Sequence, residues 1–258
     1  MCFPNKKQKD NFTDNANQNK ANGTKAHTSA ASKSSSLPSK EAPVLPPVTQ
    51  SDKSPMAPKV AIVIYTLYGH IATLAEAVKA GVESAGGQAT IFQIPETLSP
   101  EVLAKLHAPP KPAYPVITLE EFVKFDAFLF GIPTRYGSQP AQWRAFWDST
   151  GGLWGQGALY GKYASFFTST AGAGGGQEVT ALNSISTLTH HGIIYVPLGY
   201  ARAFGQLTNL NEVHGGSPWG AGTFANSDGS RQPTPLELEI GNIHGKTFWE
   251  TVSRVNFA

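Results

Sequence analysis

The chain of 258 residues holds one cysteine, Cys2, so a disulfide within the chain and any cysteine-based metal site are excluded. No H-x-x-x-H pair occurs, and adjacent histidines such as His190 and His191 point apart on a helix, so no metal is expected. No stretch reaches the roughly 18 apolar residues that cross a bilayer, and the N-terminus lacks the apolar core of a signal peptide, which predicts an intracellular, cytoplasmic protein. A G-x-G-x-x-G after the first strand is also missing, which counts against a dinucleotide site of that type. Charge is sparse at 15% of residues, and it is unevenly spread. Residues 1–58 carry eight lysines against four acids, whereas the remaining 200 residues carry 12 basic and 14 acidic side chains. The basic balance thus belongs to the first segment, and a nucleic-acid partner, which would need a basic face on the folded part, is not expected.

Residues 1–58 are rich in Ser, Lys, Asn, Pro and Ala with almost no apolar clustering. Such a segment cannot offset its ordering entropy and is predicted to be a disordered tail, leaving residues 59–258 as one folded domain. Cys2 sits beside Phe3 and just before Lys6, Lys7 and Lys9. That combination fits S-acylation backed by a basic patch, a route to peripheral membrane association.

The richest stretch is Val60–Thr73. Val60–Ile64 is an unbroken apolar run with β-branched residues, the pattern of a parallel strand covered on both faces. Thr66, Leu67, Tyr68 and Gly69 interrupt it, and an amphipathic helix begins near His70. Amides at a helix start lack intrahelical partners and the helix dipole adds positive charge, so a phosphate is favoured there. Further strands are expected at 89–94, 127–131, 164–168 and 193–197, with helices at 100–107, 119–124, 140–150, 179–190 and 235–255. Strands alternating with helices predict an α/β fold, a five-stranded parallel sheet with helices on both faces. Trp143, Phe146 and Trp147 at helical spacing read as core, whereas Trp154 and Trp219 are expected in glycine-rich loops and read as ligand or interface residues.

In such sheets ligands bind beyond the carboxyl ends of the strands. Three unusual loops should meet there: 66–70, 132–138 and 169–176. The second contains Pro133, Thr134, Arg135 and Tyr136; the third has Gly172, Gly174, Gly175 and Gly176. A phosphate turn with two loops of backbone amides and an aromatic ring is what flavin mononucleotide (FMN) requires, its phosphate at the helix start and its ring against the loops.

The motifs YTLYGHI (65–71), GIPTRYG (131–137), STGGLWGQGALYGK (149–162), GGGQE (174–178), HHGIIYVPLGY (190–200), GGSPWGAGTFA (215–225) and DGSRQP (228–233) occur in order. On them, residues 58–258 resemble the WrbA-type NAD(P)H:quinone oxidoreductases of the flavodoxin-like superfamily, in particular their fungal, membrane-associated members. The opening MCFPNKKQKDNF resembles the same branch. The resemblance implies a doubly wound sheet of order 2-1-3-4-5 and FMN as cofactor, with NAD(P)H as co-substrate and a quinone as acceptor. It also implies a homotetramer, lipidation at Cys2 and a place at the cytoplasmic face of the plasma membrane, with a role against oxidative or quinone stress.

Carried over by position, Thr66, Leu67, Tyr68, Gly69, His70 and Ile71 would hold the phosphate. Thr134, Arg135 and Tyr136 would line the ribityl chain and ring, and Thr170, Ala171, Gly172, Ala173, Gly174 and Gly175 would supply amides along its polar edge. His190 would approach the flavin as a proton or hydrogen-bond donor, while Tyr68 would face the nicotinamide and Trp154 would help form the quinone or nicotinamide pocket where subunits meet. The stretch TAGAGG lacks hydroxyls usual in this family's loop. The alternative reading is a membrane-associated scaffold or an electron carrier with little turnover. Such carriers are strongly acidic, unlike this folded part.

Overall fold

The computed structural model describes residues 57–257; the expectations for the tail, acylation of Cys2 included, concern residues outside these. Strands β1 (Val60–Ile64), β2 (Ala89–Gln93), β3 (Ala127–Pro133), β4 (Tyr163–Thr170) and β5 (Ile194–Tyr195) pair in parallel in the order β2-β1-β3-β4-β5. This is the predicted doubly wound, flavodoxin-like arrangement. Alternation along β1 sends Val60, Ile62 and Ile64 to one face and Ala61 and Val63 to the other. All five are buried, which is why the run contains no polar residue.

One face is covered by α1 (His70–Ser84) and the last helix, α8 (Pro235–Val252). The other is covered by α3 (Leu119–Phe122), α4 (Ala141–Ser149) and α6 (Gln177–His191), where Phe122, Phe128, Phe130, Trp143, Phe146 and Trp147 interlock largely edge to face. Trp143 is fully buried and its indole N–H donates to the Gly131 carbonyl, as suits a core tryptophan. The short helices α2 (Pro100–Lys105), α5 (Gly151–Gly155) and α7 (Phe204–Leu207) complete the set. Trp154 therefore lies on a helical turn, not in a loop.

Two departures concern the far edge of the sheet. The strand expected over 193–197 is only two residues long, and a sixth strand, β6 (Gly222–Phe224), pairs with the carboxyl half of β4. β4 thus shares its outer edge between β5, beside Tyr163 and Ala164, and β6, beside Thr168 to Thr170. The segment after β6 is thereby delivered to the carboxyl end of the sheet.

α1 and α8 approach closely enough to touch through their backbones. A Cβ on Gly81 would lie 2.0 Å from the Asn242 carbonyl oxygen, and one on Gly245 would lie 1.9 Å from that of Val78. Beneath this seam His244 is buried between layers: the Ala221 N–H donates to its Nδ1 at 3.2 Å, which leaves the ring proton on Nε2 to donate to Ser165 Oγ at 2.7 Å. Burial holds the ring neutral and pushes its pKa down to about 4.

Two outcomes follow from this packing. Gly245→Ala should lower stability by about 1–3 kcal/mol because backbone, not a flexible side chain, blocks the new methyl. Gly205→Ala, facing open space, should stay within about 0.5 kcal/mol, both read from urea unfolding of the full chain. The His244 folded-state pKa lies below the unfolded value near 6.5, so between pH 6.5 and 4 the unfolded chain takes up a proton that the folded chain refuses. Stability should therefore fall by roughly 3 kcal/mol through that window from this group, and His244→Gln should flatten the slope.

Candidate functional site

The carboxyl ends of β1, β3, β4 and β6 frame a cavity of about 350 Å³. Thr66, Leu67, Tyr68 and His70 form one side of it, Thr134 and Arg135 another, and Thr170 and Ala171 a third. The three predicted loops do meet. A fourth wall, Ala225–Gly229, comes from the turn after β6.

The phosphate side is built by backbone. Gly69 adopts φ +94°, a left-handed conformation that a residue with a Cβ resists, and no side chain caps the start of α1. Its own N–H is taken by Thr66 Oγ1 at 3.0 Å, so the Thr66 hydroxyl shapes the turn from within. The following first-turn amides remain open to a ligand. Ile71 does not line the cavity; it is buried against Gly131 as core. His70 is buried, and its Nε2 lies 2.9 Å from the Arg231 carbonyl. A carbonyl only accepts, so Nε2 carries the hydrogen.

A cluster that the sequence did not disclose braces this turn from below. Lys111, from the proline-rich link, donates to the Thr66 carbonyl at 2.7 Å, pairs with Glu96 at 2.7 Å and lies over the Tyr65 ring. The Tyr65 hydroxyl donates to Glu96, and burial together with that carboxylate raises its pKa. Glu96 opposes its own desolvation with Lys111 and the amides of Leu98 and Thr97, which hold its carboxyl below the usual range.

Thr134 and Arg135 sit where the ribityl chain and ring would run. Thr180 donates its hydroxyl to the Gly176 carbonyl, so the 2.7 Å contact between Thr134 and Thr180 has Thr134 as donor. Arg135 to Ser138 form a two-residue hairpin turn with Tyr136 at φ +54° and Gly137 at φ +71°, both left-handed. This holds the Tyr136 ring fully in solvent. Arg135 donates to the Thr134 carbonyl and makes no ion pair among the described residues. On the other side Gly176 starts α6 at φ +86°, again without a side-chain cap. Thr170 spends its hydroxyl on the Gly172 carbonyl at 2.9 Å. Gly172 and Gly174 face open space, while a Cβ on Gly175 would strike Thr170. Ala173 and Gly174 border a neighbouring cleft with Gln177 and His214.

The fourth wall hangs on Glu237. This carboxylate is completely buried at the start of α8 and accepts from the amides of Gly215, Phe224 and Thr234, from the Thr223 hydroxyl and from Arg231. Arg231 in turn donates to the carbonyls of Phe224 and Val213. The DGSRQP motif is therefore the frame that sets Asn226–Gly229 beside α1.

His190 and Trp154 are not part of this assembly within one chain. α6 starts at the carboxyl edge and runs about 20 Å at 1.5 Å per residue, so His190, in its last turn, lies at the amino edge. Gly192, just beyond, accepts from Gly161, which lies just before β4. α5 is at the same end: the Thr150 hydroxyl meets His191 Nε2 at 2.9 Å. Trp154 is 58% exposed and His190 is also exposed. Within one chain, the length of α6 keeps His190 from the cradle and places it at the same end as Trp154.

The family description of an NADPH-dependent FMN reductase matches residues 59–205. The chain belongs to that family. Members of this family that it resembles include NAD(P)H quinone oxidoreductase PST3 of Candida albicans, 66% identical over 199 residues, which span 77% of this chain and all of that protein. Protoplast secreted protein 2 of Saccharomyces cerevisiae is 64% identical over 197 residues, 76% of this chain and 99% of that protein. Among solved structures, a WrbA-like flavodoxin from Agrobacterium tumefaciens superposes with a TM-score of 0.52 at 22% identity, covering 78% of this chain and 99% of that one, a likeness of fold. FMN fits the residues present: an uncapped helix start opens onto the cavity, and two loops of amides flank it.

Replacing Glu237 with Gln should cost about 3 kcal/mol or more, since Arg231 and the amides around it would lose their buried anion. FMN affinity should fall with it through the displaced fourth wall, measured by thermal unfolding and by flavin fluorescence titration.

Proposed function

We propose that this protein is an FMN-dependent NAD(P)H:quinone oxidoreductase. The observation that carries the reading is the cavity that joins an uncapped α1 start to Thr134, Arg135, Thr170 and Ala171, in a chain of the FMN reductase family whose relatives include NAD(P)H quinone oxidoreductases. FMN, once bound, supplies the two-electron chemistry, taking a hydride from NAD(P)H and passing the electrons to a quinone. The protein's part is to bind and orient. The turn from Thr66 to His70 holds the phosphate, with Thr66 and Lys111 fixing its shape. Thr134, Arg135, Thr170 and Ala171 border the ribityl chain and ring, with residues 172–175 continuing that loop beyond the cavity, and Tyr68 and Tyr136 offer aromatic faces for flat substrates.

We further propose that the working site is completed between copies of the chain, in a homotetramer. Trp154 and His190 support this: both are exposed, both lie at the distal end, and neither can reach the cradle of its own chain. A second copy that docks this end on the cradle would add a large aromatic wall and an imidazole able to hand a proton to the reduced quinone.

Purified protein reconstituted with FMN should oxidise NADH rapidly only when benzoquinone is present, and the activity should vanish without FMN. Flavin binding without quinone-dependent turnover would overturn the reading. The composite site is tested by mixing: Gly69→Val and His190→Ala chains, each with low activity alone, should recover a fraction of wild-type rate when refolded together. No recovery, despite mixed oligomers on native mass spectrometry, would place His190 outside the site.

A further inference from the structure

Beside the FMN cavity lies a second cleft of about 680 Å³ that the flavin does not account for. Its size is within the range of about 300–1,000 Å³ usual for small-molecule sites. Leu67, Tyr68 and Arg135 border both spaces, so the two lie side by side with these side chains between them. The walls are apolar, from Leu67, Leu98 and Leu106, and the Tyr68 ring is fixed by its hydroxyl donating to the Leu106 carbonyl at 3.0 Å.

One polar group in the wall is unexplained. Gln139 is 5% exposed, and neither its Nε2 nor its Oε1 has a partner among the described residues. Its neighbour Gln142, equally buried, bonds Glu96 and Thr97, so the missing bonds are particular to Gln139. Burying a primary amide unpaired costs free energy, and a bound partner that offers a donor beside an acceptor removes that cost. A quinone offers acceptors only and would leave Oε1 unpaired. The edge of adenine offers both, and glutamine pairs with it in a bidentate manner. Arg135, without a carboxylate partner at the junction of the two spaces, is suited to phosphate.

We propose that this cleft takes the adenine half of NAD(P)H. The Gln139 amide, sealed from solvent in the wall of the cleft, turns outward to pair with the edge of the base. The leucines and Tyr68 pack on the faces of the base, and Arg135 holds the phosphates that lead to the nicotinamide in the first cavity. The proposal rests on the reductase reading and gives it a consequence: donor and acceptor share the space at the flavin, but only the donor uses the second cleft. Gln139 is then a specificity residue for the nucleotide and is indifferent to the quinone.

The test uses the FMN-loaded full chain and the variants Gln139→Met and Gln139→Ala. By calorimetry 5′-AMP should bind the wild type and bind both variants about tenfold more weakly or worse. In steady state 5′-AMP should compete with NADH and not with benzoquinone. The variants should raise KM for NADH about tenfold, while kcat, KM for benzoquinone and KM for reduced nicotinamide mononucleotide, which lacks the adenine half, stay unchanged. Failure of the wild type to bind 5′-AMP would overturn the proposal, as would an unchanged preference for NADH over the mononucleotide in the variants. Wild-type protein that binds 5′-AMP yet lacks NADH–quinone turnover would instead sink the reductase reading and leave the nucleotide cleft standing. Variants that fail to load FMN leave the wild-type calorimetry and competition to decide.

Discussion

The carboxylate of Glu237 is the interaction on which one whole side of the cofactor cavity depends. Taking a charge fully out of water is tolerable only when its lone pairs are spoken for, and here backbone amides, a hydroxyl and a guanidinium do so. The bonds come from four separate pieces of chain: the segment before β6, β6 itself, the turn after it, and the first turn of α8. Each piece is irregular or short, and none would hold its position by packing alone. Through Arg231 the same anion reaches His70 at the mouth of α1. The electrostatics of one buried group therefore set the distance between the helix start that receives a phosphate and the wall facing it.

Local chemistry explains how much of this was readable from the chain. The β1 run, the break at Thr66–Gly69 and the helix after it announce themselves because hydrophobic period and turn residues change within a few positions. The loops carrying Thr134 and Thr170 could be placed at the carboxyl edge because parallel sheets leave no other place for them. β6 was invisible: Gly222, Thr223 and Phe224 are too few to show a period, and they are a strand only because β5 leaves the end of β4 bare. Lys111 was hidden for another reason. It stands in a proline-rich link with no regular structure, and its value lies in reaching Glu96 and Thr66 across the fold. His190 illustrates a third limit. A motif can name a residue, but only the length of α6 tells how far from the cradle of its own chain that residue stands.

The cavity's two sides also differ in what they ask of a ligand. Toward α1 the recognition is by amides and a dipole, which suit any phosphate and demand little of the side chains. Toward the Arg135–Ser138 turn it is by side chains: a bare guanidinium, a solvent-held Tyr136 and the buried, unpaired Gln139. A phosphate-bearing cofactor fits the first, and substrates recognised through their own polar and aromatic groups fit the second.

The glycine seam between α1 and α8 has a consequence for how the protein comes into being. α1 is made early in synthesis, but the backbone surface it must lie against belongs to the last helix of the chain. Until Pro235–Val252 has been made, α1 can pack on the sheet but lacks the neighbour that covers its flank at Val78 and Gly81. Glu237, which orders the opposite wall, arrives in that same final segment. The residues of the phosphate turn thus precede by far the segment that orders the wall facing them, and the cavity is whole only when both are in place.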